Sequence, residues 1–303
     1  MEQHKNNFIE RLFAGYSFDE SGPYFILDDI KTQQREKLYF DSKTMTIETT
    51  DKRFCVGTYN LDTFETRPCE NKSVLDSLEK ETHCKTCLYK NGFNPAFYNA
   101  KGGSPQQERY NNTPHVVYIA YFSPKHIKAG IASKKRHLTR LLEQGARAAI
   151  ILETFPDAYS ARKLEAELVK NEGILEMLNS ATKLTLLTGE VYDFNKAKEV
   201  LEDAAQKYYK NKPKGTVIDL TPYYFYGKTL PDNAEMFNIE NKNAAISGKA
   251  MGSIGEHLII SQSGDDAVLF PVSVKGYVSH VVKIYFGQIL VKYDYKPKQI
   301  KFW

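Results

Sequence analysis

Apolar and polar positions repeat with two different periods along this chain, and the changes of period mark its organisation. Residues 10–29, ERLFAGYSFDESGPYFILDD, alternate on either side of an Asp-Glu-Ser-Gly turn and predict a β-hairpin; residues 35–49, REKLYFDSKTMTIET, continue the strand pattern. Residues 244–286 are again rich in β-branched side chains, broken by Gly248, Gly252, Gly255, Gly264 and Gly276. The expectation is that both ends contribute to one closed or sandwich-like β-domain, which would hide otherwise exposed strand edges, with two separate small β-domains as the alternative. The middle behaves differently. Strands are predicted over 116–122 and 127–132, then an amphipathic helix from Lys134 to Gln144 closed by Gly145, a strand over 148–154 and a helix over 160–171. That order is β-β-α-β-α. A further helix covers 195–211, and GILEMLNSA ends the helix before it or begins another. Tyr223, Tyr224, Phe225 and Tyr226, if a strand, would face alternate sides; aromatic packing across a domain boundary is the favoured reading and a base-stacking platform the alternative. Residues 102–114 read as a polar linker or loop.

The fold class expected is therefore α+β and multidomain, with β-rich ends, a small cysteine module and a central α/β unit. The divisions are 1–50 (joined with 236–303), 51–100, 113–212 and 213–303. A chain of 303 residues with 42% hydrophobic and 26% charged side chains has room for two or three domains with real cores. No run approaches the ~20 apolar residues that cross a bilayer, and MEQHKNNF lacks the apolar core of a signal peptide. The expectation is a cytoplasmic protein without a membrane partner. Oligomeric state is not readable.

A net charge of +4 pulls only weakly on nucleic acid as a whole, but charge is segregated locally. Between 125 and 147 stand Lys125, Lys128, Lys134, Lys135, Arg136, Arg140 and Arg147 against the single acid Glu143. Lys134, Lys135, Arg136, Arg140 and Arg147 are the candidate phosphate-facing set, which makes DNA or RNA the expected partner. The alternative is a solvated basic helix on a small α/β domain.

Cys55, Cys69, Cys84 and Cys87 are all the cysteines of the chain, and they end in a C-x2-C pair. Two thiolates so spaced suit one zinc, and four complete a closed tetrahedral site with no position left for a catalytic water. The loop between Cys69 and Cys84 is charged and poor in apolar residues, so a structural Zn²⁺ would supply the fold it lacks. His83 could replace one thiolate. Disulfides fit poorly with an intracellular setting, and a redox role would place C-x2-C at a helix start directly after a strand. NGFNPAFYNAKGG follows, with Phe93, Phe97 and Tyr98 read as covering the module and, less favourably, as base-stacking groups.

The central unit carries Tyr118 on its first strand, Arg136 and Arg140 on the first helix and Glu165 on the second. A carboxylate can hold a divalent ion against a scissile phosphate, a guanidinium can fork onto that phosphate, and a tyrosine can orient water. In this order the segment resembles the GIY-YIG nuclease fold. The resemblance implies Tyr118 as the first tyrosine, Arg140 (with Arg136 as runner-up) as the arginine, and Glu165 in LEAEL as the ligand of Mg²⁺ or Mn²⁺. Lys128 stands where the second strand's tyrosine would be, and a lysine there could clamp phosphate. Over nearly the whole chain, the cysteines, GFNPAFYNA, HVVYIAYF, IKAGIAS and RLLEQGARAAI resemble a bacterial family catalogued as domain of unknown function 2797. That resemblance implies a zinc-ribbon-like module fused to a GIY-YIG-like domain.

Other chemistry finds little support. GKAMGSIGEH matches neither the P-loop nor the dinucleotide fingerprint and has no long helix after it, so its glycines belong to turns and bulges. There is no G-x-S-x-G or H-E-x-x-H, the histidines are dispersed, and Glu172 is too far from Glu165 to complete a metal site alone. Three functions remain: a zinc-containing nucleic-acid-binding protein, a metal-dependent endonuclease, and a non-catalytic protein-interaction scaffold.

Overall fold

A computed structural model gives the fold and describes residues 8–77, 80–92, 104–241, 245–262 and 266–296. The chain opens with β1 (Ile9–Asp19), β2 (Gly22–Asp28), β3 (Arg35–Tyr39) and β4 (Thr44–Phe54). Short strands β5 (Thr58–Tyr59), β6 (Thr66–Arg67) and β7 (Val74–Leu75) precede helices α1 (Lys85–Asn91) and α2 (Pro105–Asn111). The middle runs β8 (His115–Ser123), β9 (His126–Ser133), α3 (His137–Gln144), β10 (Ala148–Phe155) and α4 (Ala158–Val169). β11 (Ile174–Leu175), α5 (Ser180–Gly189), α6 (Phe194–Tyr208), β12 (Val217–Asp219) and α7 (Thr221–Tyr224) follow. The last strands are β13 (Glu235–Met236), β14 (Ile246–Ile254), β15 (His257–Ser261), β16 (Val268–Ser273) and β17 (His280–Phe286).

The result is mixed α/β. Ten strands make one large curled sheet in the order β13-β16-β15-β14-β4-β17-β1-β2-β3, with β7 on β4. Strand β4 lies between β14 and β17, and β17 pairs β1, so strands from both ends of the chain interleave. The concave side closes over Phe13, Phe25, Met45, Ile47, Ile260 and Phe270, all buried. Full closure does not occur: among the described residues no pairing joins β3 to β13.

A second sheet of five strands runs β11-β9-β8-β10-β12. Every residue of the central strand β8 is buried, as expected where both faces are covered. Helices α4 and α6 cover one face around Ile119, Leu168 and Leu201. On the other, Tyr118 and Leu141 pack with Phe18, Tyr224 and Ile259, so the two sheets share this core. They approach closely at Gly145 and Gly255, both at positive φ, where a Cβ on Gly255 would lie 2.9 Å from Gly145 Cα.

Several expectations change. Helix α3 begins at His137, with Lys134 and Lys135 in the turn before it and Arg136 at its N-cap. The expected linker contains helix α2, begun by Ser104, whose hydroxyl accepts from Gln107 N–H, and by Pro105 at the first turn. Tyr223–Tyr226 is no strand. Tyr224 ends α7 fully buried, its hydroxyl donating to Ala146 O at 2.6 Å, and Tyr226 donates to Pro23 O at 2.6 Å. These aromatics bind the two sheets together. GILEMLNSA holds the short strand β11, parallel to β9, before α5 begins. Phe93, Phe97, Tyr98 and Trp303 lie outside the described residues. No helix among the described residues is long and apolar enough to cross a membrane.

Candidate functional site

The cysteine module is built by tight backbone turns. Cys55 follows β4, Cys69 follows β6, Cys84 is the N-cap of α1 and Cys87 lies in its first turn. Their four sulfurs lie within 4.8 Å of one another, with 4.0 Å between Cys69 and Cys84. Tetrahedral zinc with Zn–S bonds of ~2.3 Å would separate its sulfurs by roughly 3.8 Å, so the set could close on a metal with small movements. Two backbone N–H groups, of Cys84 (3.2 Å) and Gly57 (3.4 Å), donate to Cys55 Sγ, as suits a thiolate. Gly57 is at φ +89, and a Cβ there would lie 1.9 Å from Arg67 O; the turn after Cys55 admits only glycine. Buried Arg53 docks the module, donating to Ser279 Oγ, Asp76 O and Glu81 O. Little apolar material backs the sulfurs: the cluster here is the cysteines with Leu75.

The second constellation surrounds Tyr118. On the β8–β9 hairpin Tyr118 is paired with Gly130, and its ring lies across that residue. A Cβ on Gly130 would sit 2.6 Å from Tyr118 Oη, which explains the glycine two residues after Lys128. Gly130→Ala is accordingly expected to lower stability by about 1–3 kcal/mol through overpacking, measured by denaturant unfolding. Gln144, the last residue of α3, bridges two candidates: its Nε2 donates to Tyr118 Oη at 2.9 Å, and its Oε1 accepts from Lys128 Nζ at 3.3 Å. Burial pushes the Tyr118 phenol up to about 12, Arg140 opposing and Glu165 reinforcing. At 0% exposure Tyr118 is a core side chain and a poor base.

Lys128 is lowered to about 8 by burial, with Arg140 and Lys183 adding like-charge repulsion and Glu165 and Glu176 opposing it. Lys183, on α5, is lowered as well, by burial and then Arg140 and Lys275, against the pull of Glu256. Arg140 is exposed. Lys128 from β9, Arg140 from α3 and Lys183 from α5 thus lie within electrostatic reach of one another, and among the described residues none of them forms an ion pair. Glu165 is 5% exposed; burial raises its pKa while Arg162, three residues earlier, lowers it. Arg162 joins Glu165 directly and also reaches Glu176 at 3.1 Å. Among the described residues the cysteines are the only group of three or more candidate metal ligands. A Mg²⁺ or Mn²⁺ at Glu165 would rely on water and phosphate oxygens for its remaining coordination.

The basic set divides. Lys134, Lys135 and Arg140 are exposed. Arg136 is neutralised by Glu143, to whose two carboxylate oxygens it donates at 2.7 Å. Arg147 turns inward: its guanidinium stacks over Tyr192 at 4.3 Å, its Nε is buried without a hydrogen bond, and burial lowers its pKa. It does not join the phosphate-facing set. Neither Lys183 nor Gln144 is marked by sequence, since a lone lysine in SATKLTLLTG and a glutamine before a helix-ending glycine carry no motif.

A family model described as Protein of unknown function (DUF2797) matches residues 42–281, and the chain belongs to that family. No curated protein and no solved structure matches it.

Proposed function

We propose that the chain is a nucleic-acid-binding protein in which a structural zinc on Cys55, Cys69, Cys84 and Cys87 steadies a small module beside a diverged GIY-YIG-like domain at 113–212. The observation that carries this reading is the grouping of Lys128, Arg140 and Lys183, which form no ion pair among the described residues and whose mutual repulsion Glu165, Glu176 and Glu256 offset only in part. Like charges so gathered repel one another, and two are partly desolvated; a phosphate diester relieves both penalties. Lys134 and Lys135 extend the cationic face into solvent. Four thiolates would leave the zinc no open position, so its role would be to hold the fold.

The Lys128 ammonium gives this reading a pH signature. Phosphate binding uses the protonated form, which prevails below about 8 and is lost above it. Affinity should fall by up to about tenfold between pH 7 and pH 9, and Lys128→Arg should remove most of that fall, because a guanidinium stays charged. A flat profile in the unaltered protein would count against a phosphate contact at Lys128.

A second reading, metal-dependent phosphodiester cleavage, is favoured by Glu165 lying within electrostatic reach of both Tyr118 and Lys128. Here Arg140 would hold the scissile phosphate, and a bound Mg²⁺ or Mn²⁺ would supply Lewis-acid stabilisation of the leaving oxygen. Burial of Tyr118 and Lys128 in place of a second tyrosine weigh against it. Glu165→Gln should then abolish cleavage while changing affinity only a few-fold; binding without cleavage by the unaltered protein with either metal would exclude this reading. Failure to bind any nucleic acid would leave the interaction scaffold.

A further inference from the structure

A cleft of about 890 Å³ lies where the large sheet, the cysteine module and the turn into α3 meet. Five aromatic side chains line it, Tyr16 and Phe18 from β1, Tyr24 from β2, and Tyr59 and Phe64 from the β5–β6 hairpin. Arg67 and Lys135 are among five cations there, against the acids Glu36, Glu65 and Glu143. Tyr16, Tyr59 and Phe64 are half-buried. Arg136 lies 5.8 Å from the Tyr59 ring centre and is itself braced by Glu143, which also accepts from Ser17 Oγ at 2.9 Å. Tyr59 is therefore a fixed platform. Arg67 has a side chain 78% exposed with Glu65 no nearer than 3.7 Å, and Lys135 is exposed and unpaired among the described residues.

Phe64 is the most telling. It sits at φ +63 in the hairpin loop, a left-handed conformation suited to glycine or asparagine and costly for a bulky side chain. Its N–H donates to Asn60 O at 2.8 Å, so the loop is held closed with the strained residue in place. The phenyl ring stands at the wall of the cleft against its backbone preference, held edge-on by Tyr110 with ring centroids 6.3 Å apart.

We infer that this cleft takes a single strand of nucleic acid, its bases stacking on Tyr59, Phe64 and Tyr16 and its phosphates meeting Arg67 and Lys135. This rests on the nucleic-acid reading above and specifies its substrate. Aromatic faces serve unstacked bases; a duplex presents only base edges and backbone. Arg140 lies one helical turn from Arg136 and within electrostatic reach of both Tyr16 and Tyr59, so a strand in the cleft leads on to Lys128, Arg140 and Lys183.

The test is fluorescence anisotropy of the full chain with labelled oligouridylate, oligothymidylate and a duplex of equal length. The single strands should bind at least about tenfold tighter than the duplex, and the first two probes separate RNA from DNA. Phe64→Asn, which the left-handed backbone accepts, and Tyr59→Leu should each weaken single-strand binding about tenfold while leaving duplex binding unchanged. Thermal melting of Phe64→Asn reads out any loss of the Phe64–Tyr110 contact separately from binding. Photo-crosslinking of iodouridine-containing strands to the unaltered protein should label Tyr59 or Phe64, and decides the matter if either variant folds poorly. Equal affinity for duplex, or crosslinks only outside the cleft, would overturn the cleft while leaving phosphate binding intact. No binding of any of the three probes would overturn both.

Discussion

Replacing Cys84 with serine is expected to remove bound zinc and unfold the cysteine module, with protease cleavage appearing between residues 55 and 92. Little apolar packing holds this segment. Its apolar cluster is the cysteines and Leu75, its strands β5, β6 and β7 are two residues each, and Cys84 caps α1 without a side-chain hydrogen bond. Structural zinc sites contribute on the order of 10–16 kcal/mol of apparent binding energy, and most of that is folding energy. Loss of one thiolate should therefore lower stability by several kcal/mol, more than any single apolar truncation in either sheet. Arg53 extends the damage, because its guanidinium bonds to Asp76 O and Glu81 O would be lost with the module while its charge stayed buried. Elemental analysis of protein purified without chelator should find one zinc per chain, and none after the substitution. Full protease resistance in a zinc-free Cys84→Ser protein would refute the metal assignment.

The second large effect is on binding. Reversing Lys135 and Arg140 together to glutamate should weaken association with nucleic acid by about one to two orders of magnitude at ~0.1 M salt, and should flatten its salt dependence by roughly 0.7–0.9 per phosphate contact removed. Both side chains are exposed and neither forms an ion pair among the described residues, so the fold should not suffer. Reversal of Arg136 would be uninformative by comparison, since it would set two carboxylates against each other and break the pair with Glu143. Anisotropy titration across salt measures the effect, with thermal melting as the control. Unchanged affinity would make this face ordinary solvated surface.

Local pattern made much of the fold readable. The β1–β2 hairpin, the β-β-α-β-α run from β8 to α4 and helix α6 follow alternation, helical periodicity and the glycine at 145, which are properties of neighbouring residues. Long-range pairing is not such a property, and nothing in the separate strands announces that β4 lies between β14 and β17. The aromatics of Tyr223–Tyr226 pack across the boundary between the two sheets, as their bulk suggests, but through a short helix and a residue at φ +55 and not as a strand. Helix α2 was hidden by polarity, although Ser104-Pro105 is a good start signal.

The site was legible to a similar depth. Spacing points to the four cysteines as one candidate cluster, and Arg140 and Glu165 each lie within electrostatic reach of Tyr118 and of Lys128. Counting charges could not distinguish Arg140, which is exposed, from Arg136, which Glu143 occupies two turns later on the same helix face, or from Arg147, which turns under Tyr192. Lys183 enters only because α5 packs back on the β8 region, a tertiary event.

Lys183 also offers the most direct test, because its place beside Lys128 and Arg140 comes from the fold and from no motif. The measurement is the slope of log affinity against log salt for a single-stranded oligonucleotide, in the unaltered protein, in Lys183→Gln and in Arg140→Gln. If the three cations hold phosphate together, each substitution should lower the slope by about 0.7 and weaken binding at every salt concentration. A slope that survives both substitutions unchanged, or a protein that binds no strand at low salt, would contradict the account.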